Sequence, residues 1–199
     1  MADFEEVSVK LRSGLEVNIS AWQSHDDAQP LVIVAPNSSA ADWEDFVSFL
    51  PSSHAPILAN VSTSLELSML IWEIGEPVLV LVQGQPAVDI ASGFIAKAPT
   101  AASGIIVCDS EISPSQADQM HDILILILRG RQGKTLSHPA AVKMHELLKN
   151  STLIEPENCG DFPAKDNPNA AAAAINMFLA GASGSFDEGS EADPIDPKA

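Results

Sequence analysis

A chain of 199 residues with 46% hydrophobic side chains is long enough to fill the core of one domain. It carries 27 acidic residues against 10 basic ones, so its formal net charge is −17. A surface this negative repels phosphate backbones and anionic lipid headgroups, and we therefore expect neither nucleic acid nor a membrane surface as a partner.

The sequence shows no signal for export, membrane insertion or metal binding. Residues 1–6 are acidic where a signal peptide is positively charged, and the longest strongly apolar run, Ile123–Leu128, is too short to span a bilayer. Cys108 and Cys159 lack metal-ligand spacing, and the five histidines form no helical metal motif. We expect a cytoplasmic protein with no metal and no cofactor; a disulfide between the two cysteines stays open.

Apolar patterning predicts an α/β fold. The runs Val7–Leu11 and Leu15–Ala21 flank Arg12-Ser13-Gly14 and predict an antiparallel β-hairpin. Later strands are predicted at 31–35, 57–59, 78–82, 105–108, 123–128 and 152–154, and helices at about 40–50, 62–74, 87–98, 113–121, 139–148 and 169–179. Strands that are apolar on both faces and separated by helices predict a mostly parallel sheet with helices on both faces.

The end of the chain differs in composition. Residues 181–199 hold five acidic residues, one lysine, and several glycines and serines. Such a segment buries too little apolar surface to offset the entropy lost on ordering. We predict a folded domain over residues 1–180 and an acidic disordered tail over residues 181–199.

The order of these elements resembles the α/β-hydrolase fold, and the run Leu31–Trp43 is similar to that family's strand and oxyanion loop. Relatives usually carry His-Gly where this chain has Ala35-Pro36. Proline has no backbone N–H and lacks the conformational freedom of glycine, so we expect no standard oxyanion hole here.

The segment 78–88 resembles the family's nucleophile elbow, a Gly-x-Ser-x-Gly turn between a buried strand and a helix. Gly84 occupies the position of the first glycine, but Pro86 stands at the serine position and Val88 at the last glycine. Proline suits the first turn of a helix, so the turn can persist without a nucleophile.

The other two triad positions are also replaced. Residues 126–133 resemble the strand and loop that carry the triad acid, with Gly133 at that position. Residues 158–163 resemble the segment that carries the catalytic histidine, with Asp161 in its place. The resemblance covers roughly residues 5–180, and with no room for a cap domain between Asp109 and Asp122 it implies a capless, degenerate relative without the Ser-Asp-His triad.

Open α/β sheets bind ligands at the carboxyl ends of their strands, and this edge supplies the candidate site. The candidate ligand-binding residues are Asn37, Ser38, Gln85, Pro86, Asp109 and Asp161. Our leading hypothesis is a catalytically inactive α/β-hydrolase-like protein that binds a small molecule or a partner protein, such as a hydrolase-like relative.

Four alternatives stay open. Asp161 and Asp109 could form a carboxylate pair for relocated acid–base chemistry in a hydrolase or lyase, or they could cap helices or face water. Cys159 could be a reactive thiol, and residues 130–135 imitate the end of a phosphate-binding loop. The chain could also be a doubly wound binding protein of another family, which the strand order would distinguish.

Overall fold

The computed structural model describes residues 3–184, with side chains to residue 181. Within this range eight strands form one sheet in the order β1-β2-β4-β3-β5-β6-β7-β8. The strands are β1 (Phe4–Lys10), β2 (Glu16–Trp22), β3 (Gln29–Val34), β4 (His54–Asn60), β5 (Val78–Gln83), β6 (Ala102–Cys108), β7 (Ile125–Leu128) and β8 (Ser151–Ile154).

The sheet is mostly parallel, as predicted. Strands β1 and β2 form an antiparallel hairpin, and β2 also pairs antiparallel with β4. All pairs from β4 through β3 to β8 are parallel. The central strands β3, β5 and β7 are almost wholly buried, because helices cover both faces of the sheet and each side chain finds an apolar neighbour.

The helices divide between the two faces. They are α1 (Glu44–Phe49), α2 (Ser64–Ile74), α3 (Gln85–Ile95), α4 (Pro114–Gln119), α5 (His138–Leu147), α6 (Pro163–Asp166) and α7 (Pro168–Gly184). Helices α2, α3, α4 and α5 pack on one face, in the core that holds Leu67 and Phe94. Helices α1 and α7 pack on the other face, around Phe46 and Ile175.

Some boundaries differ from the prediction. The helix predicted over 40–50 is split into a 3₁₀ turn, Ala40–Asp42, and helix α1, because Asp42 accepts hydrogen bonds from the backbone and hydroxyl of Ser39 and closes a separate turn. Strand β4 begins at His54, before the predicted Ile57, because pairing with β3 extends the strand.

Two further predictions concern the ends of segments. The connection from β6 to β7 holds one short helix, α4, and no cap domain, as predicted. Helix α7 runs to Gly184, so it includes residues 181–184 at the start of the predicted tail, whereas the predicted helix ended at Leu179. The rest of the predicted disordered tail, residues 185–199, lies outside the described residues.

Candidate functional site

The turn between β5 and α3 keeps the geometry of a strand–turn–helix elbow. Gly84 adopts a φ of 85°, a left-handed value that favours glycine. Pro86 follows in the first turn of α3 and is exposed to solvent. Its side chain is a saturated ring, so the exposed tip of this turn presents no nucleophilic atom.

Gln85 ties this turn to the neighbouring strand end. Its Nε2 donates to the carbonyl oxygen of Glu111 at 3.1 Å, and its Oε1 accepts from the backbone N–H of Glu111 at 3.3 Å. The carboxamide therefore serves as a bridge to the segment after β6. Nε2 also donates a long hydrogen bond of 3.4 Å to Asp89 Oδ1.

The loop after β3 is folded back on itself. The Ser38 hydroxyl donates to the carbonyl oxygen of Ala35 at 2.8 Å and accepts from Trp43 Nε1 at 3.0 Å. The Ser38 backbone N–H also bonds to Ala35, and Pro36 has no N–H to offer. Asn37 lies between them in the left-handed region, with a φ of 73°.

Asn37 and Ser38 line a cavity of about 520 Å³ beside this loop, which we call the polar cavity. Polar residues from three strands contribute to its lining: Glu6 and Ser8 from β1, Asn18 and Ser20 from β2, and Asn60 from β4. The sequence prediction missed these five residues. The only signal was the alternation of polar residues along β1 and β2, which places them on one face.

The other candidate residues do not line the polar cavity. Gln85, Pro86, Asp109 and Asp161 are absent from its wall. They lie at the carboxyl ends of β5 and β6 and in the loop after β8. The structure thus separates the six predicted ligand-binding residues into two groups.

Asp109 is a buried carboxyl group directly after β6. It is 1% exposed and has a φ of 39°. Its Oδ2 accepts a hydrogen bond of 2.8 Å from the backbone N–H of Gly130, whereas its Oδ1 is buried without a partner among residues 3–184. Burial raises the pKa of Asp109 to about 7; the Gly130 N–H opposes this rise, and the negative charge of Asp161 adds to it.

Asp161 has the opposite environment. Its Oδ1 accepts hydrogen bonds of 2.6 Å from the backbone N–H groups of Thr135 and Lys134. These bonds, that from Thr135 above all, hold the pKa of Asp161 below its ordinary value. They also occupy the N–H groups that a phosphate would need at residues 130–135, so the geometry does not support phosphate binding there.

Gly133 lies next to both carboxyl groups. A Cβ atom added to it would lie 2.8 Å from Asp109 Oδ1 and 3.2 Å from Asp161 Oδ1. The structure therefore brings together the carboxylate pair that the sequence suggested, around the position where the resemblance places the triad acid. Gln83 completes the group, because its Nε2 donates to the Asp161 carbonyl oxygen at 2.8 Å and its Oε1 is buried without a partner in the described part of the chain.

A second polar network supports the loop after β7. Buried Arg129 donates from Nη1 to Glu155 Oε1 at 2.7 Å and from Nε to the carbonyl oxygen of Leu136 at 2.6 Å. His138 also contacts Glu155, through Nδ1 at 2.8 Å. Sequence patterning missed Arg129 and Glu155, because the two ends of the pair lie on different strand ends and carry no shared motif.

The cysteines are free and buried. Burial raises the pKa of both thiols, that of Cys159 to about 11. Few thiolate anions form at neutral pH under these conditions, which argues against a reactive thiol at Cys159. Among residues 3–184 there is no group of three or more histidine, cysteine, aspartate and glutamate side chains placed to hold a metal ion.

Comparison with known proteins identifies structural neighbours only. No family model matches the chain, and a search of curated proteins finds no match. No helix within residues 3–184 is both long and apolar enough to cross a membrane.

Several solved structures that resemble this chain are described as phospholipases, esterases, lipases or hydrolases. A membrane phospholipase A, described as a bacterial virulence factor, matches with a TM-score of 0.75 and 13% identity over 91% of this chain and 87% of that chain. A thermophilic esterase from Thermogutta terrifontis matches with a TM-score of 0.71 and 13% identity over 89% of this chain and 98% of its own. Naproxen esterase from Bacillus subtilis matches with a TM-score of 0.70 and 10% identity over 89% and 92% of the two chains. At these identities the likeness establishes the fold.

Proposed function

From the α/β-hydrolase fold of this chain, we propose that it is a catalytically inactive protein of that fold which binds a small molecule or a hydrolase-like partner protein. The observation that carries the proposal is Pro86, which stands exposed at the tip of the strand–turn–helix elbow where a nucleophile would have to be. Neither nucleic acid nor a membrane is proposed as a partner. A cytoplasmic location belongs to the proposal and is supported by two free cysteines, which persist as thiols in reducing compartments.

The environment of Asp161 supports the loss of triad chemistry. A base that activates a hydroxyl must accept its proton, and the catalytic power of nucleophile and base depends on both acting as a unit. The Asp161 carboxylate has a lowered pKa and an oxygen already bonded to two N–H groups. Both features make it a poor proton acceptor near neutral pH.

The loop after β3 supports the same proposal. An oxyanion hole needs N–H groups directed at the developing charge. Pro36 has none, and the N–H of Ser38 is bonded to Ala35. These two positions therefore cannot stabilise a tetrahedral intermediate as the corresponding loop of a working hydrolase does.

Labelling with a fluorophosphonate tests for an activated serine. We expect intact-mass spectrometry to find no adduct on the wild-type protein under conditions that label a control esterase completely. Stoichiometric modification of one serine would contradict the proposal, because a fluorophosphonate reacts rapidly only with a hydroxyl that has a working base.

One observation favours a second candidate function. The carboxyl groups of Asp109 and Asp161 adjoin Gly133 and have pKa values shifted in opposite directions, a pattern typical of acid–base pairs. Such a pair could serve a hydrolase or lyase. This function predicts turnover whose rate changes around pH 7 and disappears in an Asp109→Asn variant. The 1% exposure of Asp109 argues against direct contact with a substrate.

A further inference from the structure

The polar cavity has a floor built from three neighbouring strands. The register places Ser8 opposite Asn18 across β1 and β2, and Asn18 opposite Asn60 across β2 and β4. Glu6 and Ser20 form the next cross-strand pair on the same face. Since alternate residues of a strand point to one side of the sheet, these polar side chains converge on one surface.

The wall above this floor is held in place by its own contacts. The Ser38 hydroxyl links the carbonyl of Ala35 to the indole of Trp43, which is fully buried. Asp42 closes the adjacent turn onto Ser39 and bonds to Lys165 Nζ at 2.6 Å, and the Lys165 contact does most to lower the pKa of Asp42 to about 2. These links fix the segment that carries Asn37 before any ligand binds.

Five of the polar side chains that line the cavity are not engaged elsewhere in the described part of the chain. Within residues 3–184 no side-chain hydrogen bond is made by Ser8, Asn18, Ser20, Asn37 or Asn60. Each carboxamide offers two N–H donors and one acceptor oxygen, and each hydroxyl can act as either. These five side chains therefore present donors and acceptors to the cavity that have no protein partner within residues 3–184.

Charge narrows the ligand class. Among the described residues that line the polar cavity, Glu6 is the one that carries a charge. Its carboxylate and the formal net charge of −17 oppose an anionic ligand. A neutral molecule with many hydroxyl groups matches alternating donors and acceptors without a charge cost.

We infer that the polar cavity binds a neutral polyhydroxylated molecule of mono- or disaccharide size. Its volume of about 520 Å³ lies within the range of small-molecule sites. None of the residues in the described range 3–184 that line it is aromatic, so hydrogen bonds rather than ring stacking hold the ligand. This inference rests on the proposed binding function and adds to it a location and a ligand class.

Side-chain amide signals test the inference directly. ¹⁵N-labelled protein is titrated with glucose, galactose and trehalose, and the carboxamide resonances of Asn18, Asn37 and Asn60 are followed. We expect saturable shifts of these signals with at least one of the sugars. Asn18→Ala and Asn60→Ala should each weaken the binding by about tenfold or more. This is the effect expected when one carboxamide loses its hydrogen bonds to an uncharged ligand.

The controls use the same residue type and the same ligand skeleton. Asn169→Ala removes an exposed carboxamide on α7, outside the cavity, and should leave the titration unchanged. Glucose 6-phosphate should bind more weakly than glucose to the wild type, and Glu6→Gln should narrow that difference. Asn18 and Asn60 are both exposed, so neither substitution should disturb folding. Using two independent variants guards against a folding defect in one of them.

Two results would overturn the inference. One is the absence of saturable shifts with every sugar; the other is sugar binding that survives both Asn18→Ala and Asn60→Ala. Shifts of the same amide signals by short aliphatic amides, with none from sugars, would refute the ligand class while leaving the proposed binding function intact. Fluorophosphonate labelling reports on catalytic inactivity separately.

Discussion

The buried carboxylate of Asp109 at the end of β6 accepts a hydrogen bond of 2.8 Å from the backbone N–H of Gly130 at the end of β7. This bond joins two adjacent strand ends beneath the loop that contains Gly133. It uses only Oδ2, so the second oxygen remains buried without a partner within residues 3–184. Burial of this carboxyl group raises its pKa to about 7, so the protonated form is favoured below that pH.

Stability should therefore depend on pH through Asp109. The folded protein keeps this proton up to about pH 7, whereas the unfolded chain releases it near the ordinary pKa of 3.8. Between these values the folded state binds more protons, so the free energy of unfolding falls as pH rises. As the pH is raised from 5 to 8, we expect the free energy of unfolding of Asp109→Asn to increase by about 1–3 kcal/mol relative to that of wild type. Urea unfolding at both pH values measures this, with Asp118→Asn as the exposed control; equal pH slopes in the wild type and D109N would refute it.

Asp161 should order the loop at residues 130–135. Its carboxylate binds the N–H groups of Lys134 and Thr135, and its lowered pKa means that this stabilisation is present above the ordinary pKa and lost as pH falls below it. Asp161→Ala should lower the free energy of unfolding by about 1–3 kcal/mol and should speed amide hydrogen exchange at Lys134 and Thr135. Asp118→Ala is the matched control. Unchanged exchange at these two amides would show that the carboxylate does not hold the loop.

Gly130 should tolerate no side chain. A Cβ at this position would overlap the carbonyl oxygen of Gly160, which is backbone and cannot rotate away. Gly130→Ala should therefore cost about 3 kcal/mol or more, measured as the loss in free energy of unfolding. Gly181→Ala, where nothing lies within 4 Å of the added carbon, should be neutral or stabilising. Similar stabilities of the two variants would contradict the close approach of the two loops.

The Arg129–Glu155 pair should show strong energetic coupling. Both side chains are largely buried, with 8% and 17% exposed, and removing one partner leaves a buried charge. Although burial opposes the shift, hydrogen bonds from His138 and Arg129 lower the pKa of Glu155. A double-mutant cycle with Arg129→Met and Glu155→Gln should give a coupling energy of about 1–3 kcal/mol.

The exposed pair Arg131–Glu157 provides the matched comparison, with 58% and 72% of its side chains exposed. The corresponding cycle with Arg131→Met and Glu157→Gln should give about 0–1 kcal/mol. Coupling energies of equal size in the two cycles would mean that burial does not strengthen the Arg129 pair.

Much of the fold could be predicted because its strands are marked by uninterrupted apolar runs. Residues 78–82, for example, are buried on both faces of the sheet, as expected for a strand of a parallel sheet that helices cover on both sides. The turn at Gly84 could be located because its left-handed φ favours glycine. The break before Trp43 could not be located, because it depends on the Ser39–Asp42 side-chain contact and not on periodicity.

The site was harder to predict because it depends on contacts between distant segments. Sequence resemblance assigned Asp161 to the position of the catalytic histidine, and the strand-end rule made Asp109 a candidate neighbour. The structure brings both carboxyl groups beside Gly133. The polar cavity could not be predicted, because it requires the register that sets Asn18 opposite Asn60 and the fold of the loop at Asn37. Neither property is encoded in a local pattern.

The rate of hydrolysis of nitrophenyl esters and thioesters tests the central claim of catalytic inactivity most directly. Wild type, Asp161→Ala and Asp109→Ala are assayed beside the exposed control Asp118→Ala, over short acyl chains and at several pH values. We predict rates at the buffer background for all four proteins. Turnover by the wild type and the control that Asp161→Ala or Asp109→Ala abolishes would contradict the account and identify an enzyme with a rebuilt acid–base site.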